Sequence, residues 1–279
     1  MFTLEFTRLI RTEIRSLLKR TEFLVVMTIS LVWMVVPFLM DCAKYYHTEI
    51  TYIPPANELW VGFDNHAGQA YYMFLLPLLP ALAYADTHYL NLKTGMYKSI
   101  YTHCRKSNYI LAKGIVILTS GFLIVFLPLF LNQLLCFLIA PFQSTRHNLG
   151  GWPAYASYPS DMMMFESLFL RKPYLYNLLY MVMASAMGSM AALLSYAISF
   201  LGGQSRLIVI AVPMIIYVIW NFTTEFLLGV EYSLYAYLYG RGVGGLKPSY
   251  FFVCMVLCFL VCLAIVLVKG VFHKDELHK

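Results

Sequence analysis

The chain has 279 residues, 60% of them apolar and 12% charged, with a mean hydropathy of +0.68. A soluble domain carries about 25% charged residues, so this composition excludes one and defines a polytopic membrane protein. The net charge of +6 fits basic loops on one side of a membrane, and no basic tract points to nucleic acid.

Residues 1–21 predict an amphipathic helix. Phe2, Phe6, Leu9, Ile10, Ile14 and Leu17 fall on one side at helical spacing, and Arg8, Arg11, Arg15 and Lys19 fall opposite. Leu4 and Glu13 break the pattern. Such a helix is expected to lie on the inner leaflet, its cations toward lipid phosphates. Its interleaved charges do not match a signal peptide.

Residues 22–279 predict a six-helix transmembrane domain, all-α, with both termini cytoplasmic. The expected spans run over about 22–40, 69–84, 107–140, 175–201, 207–228 and 249–269. Pro77 and Pro80 predict a kinked or broken second span, and Pro128 a bend in the third. External loops are expected at 41–68, 141–174 and 229–248, and a cytoplasmic segment at 86–113. That segment sets Lys93, Lys98, Arg105, Lys106 and Lys113 against one acid, Asp86. In this topology fourteen of the twenty Lys and Arg residues lie inside and six outside, and the opposite orientation would invert the bias.

The sequence has no GxxxxGK[ST], HExxH or GxSxG motif, so nucleotide binding of the P-loop kind and two common hydrolase chemistries are excluded. No acid falls at mid-depth in a span, which argues against a proton- or sodium-coupled carrier. The chain is expected to be non-enzymatic and to bind no metal. Asp86 and His88 read as a boundary pair exposed to the cytoplasm rather than as a metal or relay site. Cys254, Cys258 and Cys262 recur on one helix face and read as packing residues rather than soft-metal ligands. Ala184, Gly188, Ala192 and Ser195 form a small-residue stripe suited to close helix contact. Asn132, Gln133, Asn221, Thr223 and Thr224 either line a pathway or satisfy neighbouring backbone. Tyr232, Tyr235 and Tyr239 share a helical face, as in an aromatic belt or an interfacial helix.

Several of these pieces together resemble the type-2 ABC transporter permeases of bacteria. They are the basic N-terminal helix, the segment with Asp86, Gly95, Arg105, Tyr109 and Lys113, the Pro173-Tyr174-Leu175-Tyr176 entry to the fourth span, the Ser205-Arg206 turn with Pro213 beyond it, the aromatic stretch between the last two spans, and Lys274-Asp275 after the sixth. The resemblance implies the membrane subunit of an exporter in a bacterial plasma membrane. ABC ATPase subunits, two of them, would carry ATP and Mg. A second permease, identical or related, would complete the path. It also implies a coupling helix over about 94–101, with Gly95 turning the chain into it and Arg105 following it. Met96 with Ile100, and Tyr97 with Tyr101, would form one adhesive patch, with Lys98 toward solvent or an acid of the partner. The Tyr- and Met-rich outer segments suggest an amphipathic or apolar cargo: peptide, antibiotic or lipid. The competing reading is an ATP-independent membrane sensor, immunity factor or scaffold.

Overall fold

A computed structural model describes residues 2–49, 53–63, 72–142, 163–201, 205–242 and 244–272. Most of the external loop at 141–174, the start of the second span and the charged tail lie outside the described residues. The described helices are α1 (Phe2–Lys19), α2 (Thr21–Lys44), α3 (Thr87–Lys93), α4 (Met96–His103), α5 (Lys106–Ile139), α6 (Pro173–Ile198), α7 (Arg206–Leu227) and α8 (Pro248–Ile265), with shorter turns between them. No strand occurs among the described residues. Among the described residues, five helices are long and apolar enough to cross a membrane: α2, α5, α6, α7, and α8 with the π-helical turns that continue it. The chain is therefore an all-α, multi-pass membrane protein.

The expected second span is not one long helix. Residues 72–75 are helical, a turn follows at 76–77, and Leu78–Pro80 leads into a π-helical turn over Ala81–Ala85. Pro77 and Pro80 bring no backbone N–H, so the i→i−4 ladder cannot run through them.

In hydrocarbon, a carbonyl orphaned by proline must find another donor. Three such carbonyls are met by hydroxyls from neighbouring elements. Pro77 leaves the Met73 carbonyl, which accepts from the Tyr217 hydroxyl at 3.4 Å. Pro128 leaves that of Ile124, which accepts from Tyr72 at 3.4 Å. Pro213 leaves that of Val209, which accepts from Ser195 at 2.8 Å. Each proline thus welds its helix to a neighbour.

Helix α6 is the centre, with 67% of its most apolar window buried, against 17% for α8. It crosses α5 closely at two glycines. A Cβ on Gly188 would stand 2.6 Å from Val125 Cγ2, and one on Gly121 would stand 3.0 Å from the Gly188 carbonyl oxygen. Ser189 donates across the same crossing to the Leu118 carbonyl at 3.0 Å. The small-residue stripe is thus spent on contacts within one chain.

The bundle has a basic end, where α1, α3, α4 and the start of α7 gather, and an opposite mouth. Parts of the expected external loops fold into that mouth. Trp60, Val61 and Phe63 are buried, and Trp60 donates from Nε1 to the Leu129 carbonyl at 3.1 Å. Residues 62–63 and 240–241 pair by backbone, Gly240 N to Gly62 O at 2.9 Å and Arg241 N to Phe63 O at 2.8 Å. Tyr176 donates to the Gly240 carbonyl. The tyrosine stretch is two 3-10 turns, Val230–Tyr232 and Leu234–Leu238, broken at Ser233. Tyr232 turns to Tyr250 while Tyr235 pairs with Tyr239, so the single tyrosine face expected from helical spacing is not formed.

The proline pairing predicts a coupled pair of substitutions. Ser195→Ala should cost about 1 kcal/mol of stability. In a Pro213→Ala background, which restores the missing N–H, the same change should cost markedly less. Thermal unfolding of the four proteins in lipid nanodiscs measures the coupling, and additive effects would refute the pairing.

Candidate functional site

The described polar chemistry concentrates at the basic end. Helices α1 and α2 are separated by one extended residue, Arg20 (φ −78°, ψ 125°), so α1 does not simply continue the first span. From this break Arg20 reaches two acids. Its Nη2 donates to Asp86 Oδ1 at 2.7 Å and its Nε to Glu22 Oε2 at 3.1 Å. Arg206, the first residue of α7, takes the other oxygen of each acid: Nε to Asp86 Oδ2 at 2.6 Å, Nη2 to Glu22 Oε1 at 3.0 Å. The result is a closed ring of alternating charge, Arg20–Asp86–Arg206–Glu22. It joins the α1–α2 break, the foot of the broken span and α7.

The two halves of the ring differ in weight. Asp86 is fully buried and Arg20 is 10% exposed, whereas Arg206 and Glu22 are each 39% exposed. An exposed pair contributes at most about 1 kcal/mol. Removing one member of a buried pair leaves an uncompensated charge and costs about 3–5 kcal/mol. Asp86 is therefore the residue on which the ring depends, and the expectation of a solvent-exposed boundary pair at Asp86 and His88 is corrected. It failed because the cations that shelter Asp86 are distant in sequence.

A second cluster sits beside the ring. Glu13 projects from the buried face of α1 and accepts from the Tyr84 hydroxyl at 2.7 Å. Lys113, 1% exposed on α5, lies 3.7 Å from the same Glu13 oxygen and donates to the Tyr109 hydroxyl at 2.9 Å. Asn91 donates to that hydroxyl at 2.8 Å. Glu13 breaks the amphipathic pattern because it is the residue that meets a buried lysine.

The apolar face of α1 packs on the bundle: Leu17 is 3% exposed and Ile10 lies against the same core. Arg8, Arg11, Arg15 and Lys19 point away and are exposed. The face expected to rest on lipid thus rests largely on protein, with Ile14 and Leu18 left exposed beside it.

His88 turns away from Asp86. It is 2% exposed, packed between Tyr196 and Phe200 with its Nδ1 2.9 Å from Ser199 Oγ. Ser199 gives its own proton to the Tyr196 carbonyl at 2.6 Å, so His88 must donate from Nδ1. Burial, then the charges of Lys113 and Lys106, push its pKa down from 6.5 to about 3.

Helix α4 begins after Gly95, whose φ of 71° is the left-handed geometry that favours glycine. The helix spans Met96–His103, two residues later at each end than the expected 94–101. Ile100, Tyr101 and Cys104 pack on the bundle core, and Tyr101 meets the Tyr109 ring at 6.0 Å. Tyr97 is half-buried and edge-on to Tyr101 at 5.7 Å. The outward face is instead Met96, 59% exposed, with Lys98, Ser99, Thr102 and His103. The four-residue adhesive patch is therefore divided: Met96 faces out while Ile100 and Tyr101 hold the helix to its own bundle. The i, i+4 spacing puts Met96 and Ile100 on one side of the helix, yet the bundle covers only Ile100. Beside α4, Glu5, Thr102, His103, Arg105 and Lys106 border an open cleft of about 570 Å³.

Of the five polar residues named for a pathway, Asn132, Gln133, Asn221 and Thr224 are buried toward the mouth and Thr223 is exposed. Asn132 accepts from Val61 N at 3.0 Å and donates to the Met34 carbonyl at 2.9 Å. Gln133 donates to the Ala56 carbonyl at 2.9 Å and accepts from Asn177 at 2.7 Å. Asn221 accepts from Ser233 at 2.8 Å and Tyr235 N at 2.9 Å, and Thr224 bonds back to the Trp220 carbonyl at 2.8 Å. Asn132, Gln133 and Asn221 thus hold the folded-in segments to the spans, while the Thr224 bond stays within α7. Asn221 also borders a cleft of about 400 Å³ with Glu225 and Phe74. Asn177, the partner of Gln133, was not singled out from sequence; an asparagine one turn inside a span was its signal.

No protein-family model, curated protein or solved structure matches the chain.

Two outcomes follow. Asp86→Ala should lower stability by about 3–5 kcal/mol, whereas Glu22→Ala should cost under about 1 kcal/mol; chemical unfolding in detergent micelles compares them, and equal costs would contradict the weighting. For His88, the unfolded chain binds a proton near pH 6.5 and the folded chain near 3, so its contribution is complete above 6.5 and fades as pH falls toward 3. His88→Asn, whose amide can donate to Ser199, should keep stability at pH 7.5 and flatten the decline between pH ~7 and ~5; melting curves across that range check it.

Proposed function

We propose that this chain is the membrane subunit of an ATP-binding-cassette exporter in a bacterial plasma membrane, working with two separate ATPase subunits that carry ATP and Mg, and with a second permease, identical or related. The cargo class that fits is amphipathic or apolar: a peptide, an antibiotic or a lipid. The observation that carries this reading is α4, a short helix clamped to the bundle by Ile100 and Tyr101 while Met96, Lys98, Thr102 and His103 face outward. A lever needs one face fixed to what it moves and another free to be pushed.

What α4 touches supports the same reading. Tyr101 meets Tyr109 on α5, Tyr109 is bonded to Lys113, and Lys113 lies beside Glu13 of α1. A push on α4 would reach both α1 and the longest span. ATP-driven closure of the partner subunits would bias the bundle between inward-open and outward-open states by its differential contact with each. The basic charge of the outward face calls for an acidic groove on the ATPase.

Co-expression with candidate ATPases, followed by affinity purification, tests this. Met96→Asp with Lys98→Glu should abolish recovery of the ATPase and cargo export while leaving the melting temperature of the isolated chain unchanged. Failure of every candidate ATPase to co-purify, or an intact complex and transport in the double variant, would sink the proposal.

A further inference from the structure

Helices α7 and α8 both pack on α6 rather than on each other. Between them runs a groove of about 480 Å³, floored by Ala191 and Leu194 of α6 and walled by Ile216 and Trp220 on one side and Leu257 and Val261 on the other. Ile216, Trp220, Leu257 and Val261 are each more than two-fifths exposed, so the groove opens sideways from the bundle, into the bilayer. A volume of this size is typical of small-ligand sites. Water gains nothing there, and an apolar chain does.

The charges around the groove say which apolar chain. On α7 the lining position Pro213 and the cation Arg206 are seven residues apart, two turns along the same stripe. Beyond the lining position Cys262, α8 passes into the π-helical turns of Val266–Phe272, which carry the exposed Lys269. Because α7 starts at the basic end and α8 finishes there, both cations stand at the same end of the groove. Arg206 keeps 39% of its side chain exposed even within the ion-pair ring. From Arg206 to Trp220 is fourteen residues, or about 21 Å of helix, close to the ~20 Å of one leaflet with its headgroup layer.

We propose that the α6–α7–α8 groove is a binding site for an anionic phospholipid, one acyl tail lying along Ala191 and Leu194 and the phosphate held by Lys269 and Arg206. This does not depend on the exporter reading. The bound tail would fill the gap between α7 and α8, and the headgroup would sit against the ion-pair ring through Arg206.

The test uses the full chain in phosphatidylcholine nanodiscs with a minor fraction of phosphatidylglycerol. Bromine is placed on the tails of one lipid or the other, and Trp220 emission is isolated as the difference between the natural chain and Trp220→Phe. Brominated phosphatidylglycerol should quench Trp220 more strongly than brominated phosphatidylcholine at equal fraction, by about fivefold in apparent affinity for each cation engaged. Lys269→Glu should remove the preference and leave general quenching in place. Ala191→Phe or Leu194→Phe, whichever retains the monodisperse elution of the natural chain, should reduce quenching by both lipids. Equal quenching by the two lipids in the natural chain would overturn the proposal. So would a disulfide between Cys258 of two copies formed in quantitative yield, since a second chain would then occupy the groove.

Discussion

A carboxylate with no solvent at the foot of a membrane bundle has to be matched by cations, and Asp86 is matched by two. They come from the break between α1 and α2 and from the first residue of α7, so one buried charge fixes three parts of the chain. The ring can close because the second span is broken. Its π-helical turn over Ala81–Ala85 runs directly into Asp86. A π turn accommodates one more residue than an α turn and shifts whatever follows it. The prolines that spoil this span as a helix are thus tied to the placement of the charge that holds the bundle together.

The same economy operates higher in the bundle. Proline removes a donor, and a membrane offers no water to replace it. Here the replacements are hydroxyls on other elements, Tyr217, Tyr72 and Ser195. Each of these side chains would otherwise be a polar group to bury. Two unsatisfied groups become one contact between helices, which explains how strongly apolar spans tolerate both the prolines and the hydroxyls.

Much of this architecture was legible in the sequence. The long spans at α2, α5, α6 and α7 follow from unbroken apolar runs, and their limits agree with the expected ones to within a few residues. The break at Pro77 and Pro80 was legible because proline acts locally. What was not legible depends on partners far along the chain. Asp86 looked exposed because its cations are 66 and 120 residues away. Ile100 and Tyr101 looked like an outer patch because helical spacing fixes relative direction and not which side faces the core. Glu13 was visible as a flaw in a pattern, and Lys113 as one cation among five. Neither alone revealed that they meet.

The Glu13–Lys113 contact has a consequence for how the chain is made. A ribosome delivers α1 first, yet the site into which Glu13 fits is built from Tyr84 and Lys113, which emerge much later. The N-terminal helix must therefore wait, undocked, through the insertion of the next spans. During that interval its cations and its still uncovered apolar side suit it to the lipid surface. Its resting place on the finished protein is a second address, taken when α5 arrives. The surface-seeking pattern of the first residues is in this sense a record of assembly as much as of the folded state.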